Sequence, residues 1–312
     1  MKEKTKKILV TGHCGLIGSS IFPELKSEGF LIKGIDICSP VETFKGDVRD
    51  SERIASEIQD CDGIIHLAAV SRVIFGEQNP ELCRSTNIGG LRNIINATLS
   101  SRKKPWLIFA SSREVYGHPE TLPANETASF MPVNVYGHTK VDGEKLITDA
   151  IENNGLRASI VRFSNVFGKT SDHADRVVPA FARAAVLGEA LRVDGMEHTF
   201  DFTYIDDVVK GISSLVQIME ETEELLPPIH FVSGIPTTLG ELAKMAVEIA
   251  SSNSEIRTAP PRSYDVARFY GCPKRAEKYL NWTAETPLEK GLSNLISAFQ
   301  IELRLKSQEV QR

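Results

Sequence analysis

The stretch Thr11-Gly12-His13-Cys14-Gly15-Leu16-Ile17-Gly18 decides the fold. It follows a short apolar run, residues 7–11, read as a buried strand. It leads into a helical pattern over residues 15–28. Glycines at 12, 15 and 18 permit a tight turn, close backbone approach and close packing of helix on sheet. The free N–H groups and the dipole of the following helix can then receive a pyrophosphate. The spacing is G-x-x-G-x-x-G, and a glycine trio alone also serves ordinary strand–helix turns. Asp36 narrows the reading. It ends a second strand, residues 31–36, eighteen residues beyond Gly18. A carboxylate there accepts hydrogen bonds from the adenosine ribose and repels a 2′-phosphate. The following Ile37-Cys38-Ser39 offers no arginine to hold such a phosphate. The expected cofactor is NAD rather than NADP.

Further along, strand patterns at residues 63–68, 106–110 and 157–163 alternate with helical patterns at 80–101 and 134–153. Strands separated by helices require right-handed βαβ crossovers and a parallel sheet. After Asn165 the texture changes. Helical patterns near 178–187 and 206–219 mix with short strands at 191–193 and 230–232, and Pro227-Pro228 and Pro260-Pro261 mark turns. The division expected is a dinucleotide-binding domain over 1–164 and a substrate lobe over 165–312, with segments near 200–235 returning to the first domain. Glu220-Glu221-Thr222-Glu223-Glu224 reads as a solvated helix end. An amphipathic pattern over 288–305 reads as a helix packed on the core.

Composition bounds the partners. The 312 residues are 41% hydrophobic and 25% charged, with a formal net charge of −5. That is ordinary globular composition with no global attraction for nucleic acid or an anionic membrane. No apolar run approaches the roughly 18–20 residues that cross a bilayer. The charged start, MKEKTKK, is followed by too short an apolar run for a signal peptide. The five cysteines, Cys14, Cys38, Cys61, Cys83 and Cys272, are scattered singly, and the seven histidines show no metal-ligand spacing. A cytoplasmic, reduced, metal-free protein is expected.

Tyr136-Gly-His-Thr-Lys140 places a phenol and an ammonium on one helix face. A lysine beside a tyrosine favours the phenolate. The result is a base able to take a hydroxyl proton while hydride leaves the same carbon. The pair alone is common on surface helices. Here it follows Ser111-Ser112 by about one crossover, and those serines close a strand, where a parallel sheet presents its ligand-binding ends.

Taken together, these segments resemble the extended short-chain dehydrogenase/reductases that act on nucleotide sugars, the NAD-dependent epimerase/dehydratase family. The resemblance covers most of the chain. It rests on Thr11–Gly18, Asp47-Val48, His66-Leu67-Ala68-Ala69, Asn87 through Asn93, Ser111 through Gly117, Tyr136 through Lys140 with Gly143-Glu144, Arg162 through Gly168, and Asp201 through Val208. It implies a Rossmann-type doubly wound parallel α/β sheet with a small C-terminal α/β substrate lobe, and a homodimer built on two long helices.

Roles follow from the resemblance. Ser112, Tyr136, Lys140 and Glu114 are the catalytic candidates. Tyr136 would be the acid/base, with Ser112 on the reacting sugar oxygen and Lys140 on the nicotinamide ribose. Gly12, Gly15, Leu16, Ile17, Gly18, Asp36, Asp47, Val48, Leu67, Ala68, Ala69, Asn87, Tyr136 and Lys140 would meet the NAD. Ser112, Asn165, Arg262 and Arg268 would meet the nucleotide sugar.

The chain departs from the family pattern at two positions, Phe200 and His13, and from one branch of the family at Arg113. Phe200 stands where an arginine usually binds the diphosphate. His13 replaces a small residue and either nears the pyrophosphate or covers the turn. Arg113 replaces the aspartic acid that, in dTDP-glucose 4,6-dehydratases, precedes the basic glutamate, and a guanidinium is no useful proton donor. The leading expectation is C4 epimerisation of an NDP-hexose. A 4,6-dehydratase or 4-dehydrogenase using Glu114, and a silent NAD-binding scaffold, stay open.

Overall fold

The computed structural model describes residues 5–262 and 264–310, with residues 306–310 described by backbone alone. The charged start at residues 1–4 lies outside them. The chain begins with β1 (Lys7–Thr11), α1 (Gly18–Ser27), β2 (Leu31–Ile35), α2 (Ser51–Ile58) and β3 (Gly63–His66). Next come α3 (Val73–Gln78), α4 (Pro80–Arg84), α5 (Gly90–Ser100), β4 (Trp106–Ser112), α6 (Val135–Asn154) and β5 (Ala158–Phe163). The later segments are β6 (Asn165–Phe167), α7 (Val177–Leu187), β7 (Leu191–Asp194), β8 (Thr199–Tyr204), α8 (Ile205–Glu221) and β9 (Ile229–Phe231). The chain closes with β10 (Pro236–Thr238), α9 (Leu239–Ile249), β11 (Ile256–Ala259), β12 (Arg268–Phe269), α10 (Lys274–Leu280) and α11 (Leu288–Val310).

Six strands form one sheet in the order β2-β1-β3-β4-β5-β9, every neighbouring pair parallel. Its central strands are apolar on both faces, as a covered parallel sheet requires. In β1, Ile8 and Val10 enter one core cluster while Leu9 enters the other. In β4, Trp106 and Ile108 face the first cluster, and Leu107 and Phe109 the second. Helices α2, α5 and α6 cover the second face. Helices α1 and α8 cover the first, where Ser213 donates to Glu28. Thus α8 and β9, late in sequence, belong to this sheet's layers. A second sheet of β10, β8, β12 and β6, with the pair β7–β11, builds the smaller lobe. Helix α11 packs Leu292, Leu295, Ile296 and Phe299 into the shared core.

The reading of residues 80–101 as one helix needs correction. A π turn over Ser85–Gly89 separates α4 from α5. Asn87 sits in that turn, where it accepts from Val70 N–H (2.8 Å) and donates to the Val70 carbonyl (3.2 Å) and Thr139 Oγ1 (2.9 Å). A single widened turn inside a helical run is the usual form of π-helix. The apolar periodicity runs through it, so the pattern gives no warning.

The chain leaves β1 toward β2 on one side, and β3, β4, β5 and β9 lie on the other. A crevice opens at such a switch point, beyond the carboxyl ends of the strands. Gly12 follows β1 there, and Leu67 follows β3.

Candidate active site

A cavity of about 410 Å³ runs from the glycine turn to the lobe. Gly12, Gly15, Leu16, Ile17 and Gly18 form one wall, with Leu67 and Ala69 beside them. Gly12 has φ +72°, and a Cβ there would lie 2.7 Å from the Ala68 nitrogen. A Cβ on Gly18 would lie 2.3 Å from the Gly12 carbonyl oxygen. Any side chain would therefore force the turn open, and the bare backbone is left free to approach a ligand. Asp36 is fixed just outside by Cys14 N–H (3.0 Å) and Cys38 N–H (2.8 Å). A carboxylate fixed beside a tight glycine turn at a switch point fits the ribose and pyrophosphate of a dinucleotide.

His13 covers the turn. Its ring packs against Phe22 and Phe44, with centroids 5.7 Å away in each case.

Ser112 ends β4 and caps the short 3₁₀ turn Arg113–Tyr116, its hydroxyl accepting from Glu114 N–H at 3.2 Å. Asn134 caps α6 by accepting from Gly137 N–H at 2.8 Å, which sets Tyr136 in the first turn and Lys140 in the next. Ser112, Tyr136 and Lys140 all line the cavity. Burial pushes the Tyr136 phenol up to about 12, while the Ser112 hydroxyl and the Arg176 charge pull it down. Burial brings the Lys140 ammonium down to about 8. The sequence reading expects lysine to lower the tyrosine. Here desolvation wins, because Lys140 Nζ donates to the Ala110 carbonyl at 2.6 Å and lies 5.6 Å from the Tyr136 ring centre.

Glu114 also lines the cavity, but both its oxygens are engaged. Arg113 Nη2 pairs with Oε1 at 2.9 Å, and Asn134 Nδ2 donates to Oε2 at 2.8 Å. The Arg113 guanidinium stacks over Phe200 at 4.6 Å from the ring centre. Arg113 and Phe200 therefore meet in space.

The remaining candidates divide. Asn165 lines the cavity and donates to the Asp201 carbonyl at 3.2 Å. Arg262 lines it too, paired with Asp265 at 2.8 Å. Arg268 is not brought there. It sits on β12 and lines a separate cleft with His118 and Tyr270. Asp47, Val48, Asn87 and Ala68 are not cavity-lining. Asp47 pairs with Arg49 at 2.5 Å, and Val48 is buried where a Cβ on Gly90 would meet it. Asn87 instead braces the loop at Val70 against the helix that carries Lys140.

Several cavity residues escape the sequence reading. Arg72 forms a doubly bonded ion pair with Asp175, and Asp172 faces Arg176 at 3.7 Å. The first pair spans 103 positions with no local signal. Asn134, outside the lining but bonded to Glu114, has a local signal, since an asparagine before a helix reads as a cap. Its second task, holding Glu114, is tertiary.

Comparison with known proteins agrees with this geometry. The model of the NAD dependent epimerase/dehydratase family matches residues 8–232. UDP-glucuronic acid decarboxylase 1 of Danio rerio is 28% identical over 323 residues, covering 97% of this chain and 74% of that protein. UDP-glucuronate 4-epimerase 3 of Arabidopsis thaliana is 26% identical over 322 residues, covering 91% and 74%. Among solved structures, UDP-glucose 4-epimerase of Thermotoga maritima, determined with UDP-glucose, superposes with a TM-score of 0.87. It is 25% identical and covers 95% of this chain and 99% of that one. These relatives are named for different reactions, so they agree on the scaffold more than on the product. With the glycine cradle and the Ser112–Tyr136–Lys140 wall in one crevice and Asp36 just outside it, the chain belongs to the NAD-dependent epimerase/dehydratase family.

Proposed function

We propose that the protein interconverts nucleotide hexoses at C4, a 4-epimerase working through a 4-keto sugar. The observation that carries this reading is the restraint of Glu114. Its two oxygens are held by Arg113 and Asn134. Elimination of water needs a carboxylate free to take the C5 proton and an acid for the departing hydroxyl, and position 113 offers a guanidinium. Epimerisation at C4 needs neither. It needs one acid/base and one hydrogen-bonding hydroxyl at the same oxygen, which Tyr136 and Ser112 supply from adjoining elements. Bound NAD supplies the hydride acceptor and donor.

The chain's own residues do the rest. The bare turn from Gly12 to Gly18 would admit the pyrophosphate, and Asp36 would hold the adenosine ribose. Lys140, 4% exposed and donating to the Ala110 carbonyl at 2.6 Å, would hold the nicotinamide ribose, while the Ser112 hydroxyl and the Arg176 charge draw Tyr136 toward proton release. Tyr136 takes the 4-hydroxyl proton and returns it after the sugar has presented its other face. Named relatives that act on UDP-sugars support a nucleotide-sugar substrate.

The test is incubation of the purified protein with UDP-hexoses and no added cofactor, followed by proton NMR. The C4 epimer should accumulate. Tyr136→Phe should lose at least about 100-fold in turnover, in line with general acid–base contributions, while Glu114→Gln keeps epimerase activity. A 4-keto-6-deoxy product, abolished by Glu114→Gln, would replace epimerisation with dehydration.

A further inference from the structure

Among the described residues, two side-chain atoms that are buried without a hydrogen-bond partner belong to residues lining the cavity. They are Arg113 Nη1 and Asp172 Oδ2. Asp172 has a cation nearby, Arg176 at 3.7 Å. Arg113 Nη1 is a donor with nothing to bond. The rest of that guanidinium is immobilised. Nη2 is paired with Glu114 at 2.9 Å, and the plane lies over Phe200 at 4.6 Å with Phe269 at 5.9 Å. Two aromatic rings and one carboxylate hold this residue of the cavity lining, and Nη1 is the arm they leave without a partner. A desolvated guanidinium N–H left unbonded is costly, and a charged acceptor relieves that cost better than a neutral one.

Its neighbour in the chain narrows which part of a sugar it would meet, since both residues line the cavity. Arg113 directly follows Ser112, the hydroxyl assigned to O4 under the reading above, on which this inference rests. On a pyranose, C4 is flanked by C3, which bears a hydroxyl, and by C5, which bears C6. Of these neighbours only C6 can be a carboxylate. We propose that Arg113 binds a carboxylate at C6, so that the preferred substrate is a nucleotide-linked hexuronic acid. Phe200 then has a task of its own. It gives up a cationic side chain and presents an aromatic face that holds the Arg113 cation in place.

The experiment uses the NAD-loaded protein and a matched pair of probes, UDP-glucuronate and UDP-glucose, which differ at C6. Equilibrium binding is measured by calorimetry, and C4 turnover of each is followed by NMR. Wild-type protein should bind UDP-glucuronate about tenfold or more tightly than UDP-glucose, the value of one charge-assisted hydrogen bond. In Arg113→Met that ratio should collapse to about one. Equal wild-type affinities would overturn the proposal, and turnover of either probe at C4 would still leave the epimerase reading standing. Equal weakening of both probes by Arg113→Met would also overturn it, because the guanidinium would then be serving the diphosphate common to both. Binding of neither probe would remove the proposal together with a UDP-sugar epimerase.

Discussion

Glu144 is the position where one carboxylate ties stability to catalysis most directly. It lies four residues beyond Lys140 on α6, and its carboxylate meets Arg162 on β5. Arg162 Nε donates to Oε1 at 2.8 Å and Nη2 to Oε2 at 2.6 Å, with the two side chains 3% and 4% exposed. Arg162 Nη1 also serves the Tyr116 hydroxyl and the Glu126 carbonyl, and Ser111, beside Ser112, donates to Glu144. This network ties the helix bearing Tyr136 and Lys140 to the strand ends bearing Ser112. Glu144→Ala strands a buried guanidinium and removes two charge-assisted bonds, at a cost of about 3–5 kcal/mol. Glu144→Gln keeps the shape and one acceptor, and should cost about 1–3 kcal/mol. Urea unfolding followed by tryptophan fluorescence and circular dichroism reads both values. Turnover should fall in the same order, because the tether between Ser112 and Tyr136 loosens. A Glu144→Ala midpoint within error of wild type would refute the network as the element that registers α6 on the sheet.

Other perturbations follow from the same geometry. Gly18→Ala places a Cβ 2.3 Å from the Gly12 carbonyl, so the turn must open. Co-purifying NAD, measured after denaturation, should be lost while far-UV dichroism stays near wild type. In the NAD-free protein, Lys140 near 8 against an ordinary 10.5 means the unfolded chain binds the extra proton between those values. This group therefore makes stability rise with pH across that window. Tyr136 near 12 against 10 has the opposite sign and erodes stability between pH 10 and 12. Unfolding midpoints between pH 7.5 and 10 should climb less in Lys140→Met than in wild type, and parallel profiles would contradict the burial of a charged amine. Arg268→Ala, in the separate cleft with His118 and Tyr270, should change KM for any nucleotide sugar less than about twofold, within the range of surface substitutions.

Much of the sheet is legible because its strands are short apolar runs closed by glycine or serine. The two sites of backbone necessity, Gly12 and Gly18, stand in the quoted stretch. Tyr136 and Lys140 are legible because helix spacing alone puts them on one face. What the chain hides is tertiary. Arg72 and Asp175 meet across 103 positions, and Arg113 finds Phe200 through the lobe's folding back over the sheet. Arg268 reads like a phosphate ligand in sequence, but pairing of β12 with Thr199 and Phe200 of β8 directs it to another cleft. The tyrosine's acidity is also out of reach, since a phenol beside a lysine reads as lowered until burial is known.

The central claim is reversible oxidation at C4 with proton transfer by Tyr136 and no chemistry at C5. A UDP-hexose deuterated at C4, incubated with the purified protein in ordinary water without added cofactor, tests it directly. The account predicts a C4 epimer that keeps its deuterium at C4 and gains no solvent hydrogen at C5. Loss of the C4 label to solvent, or exchange at C5, would contradict it.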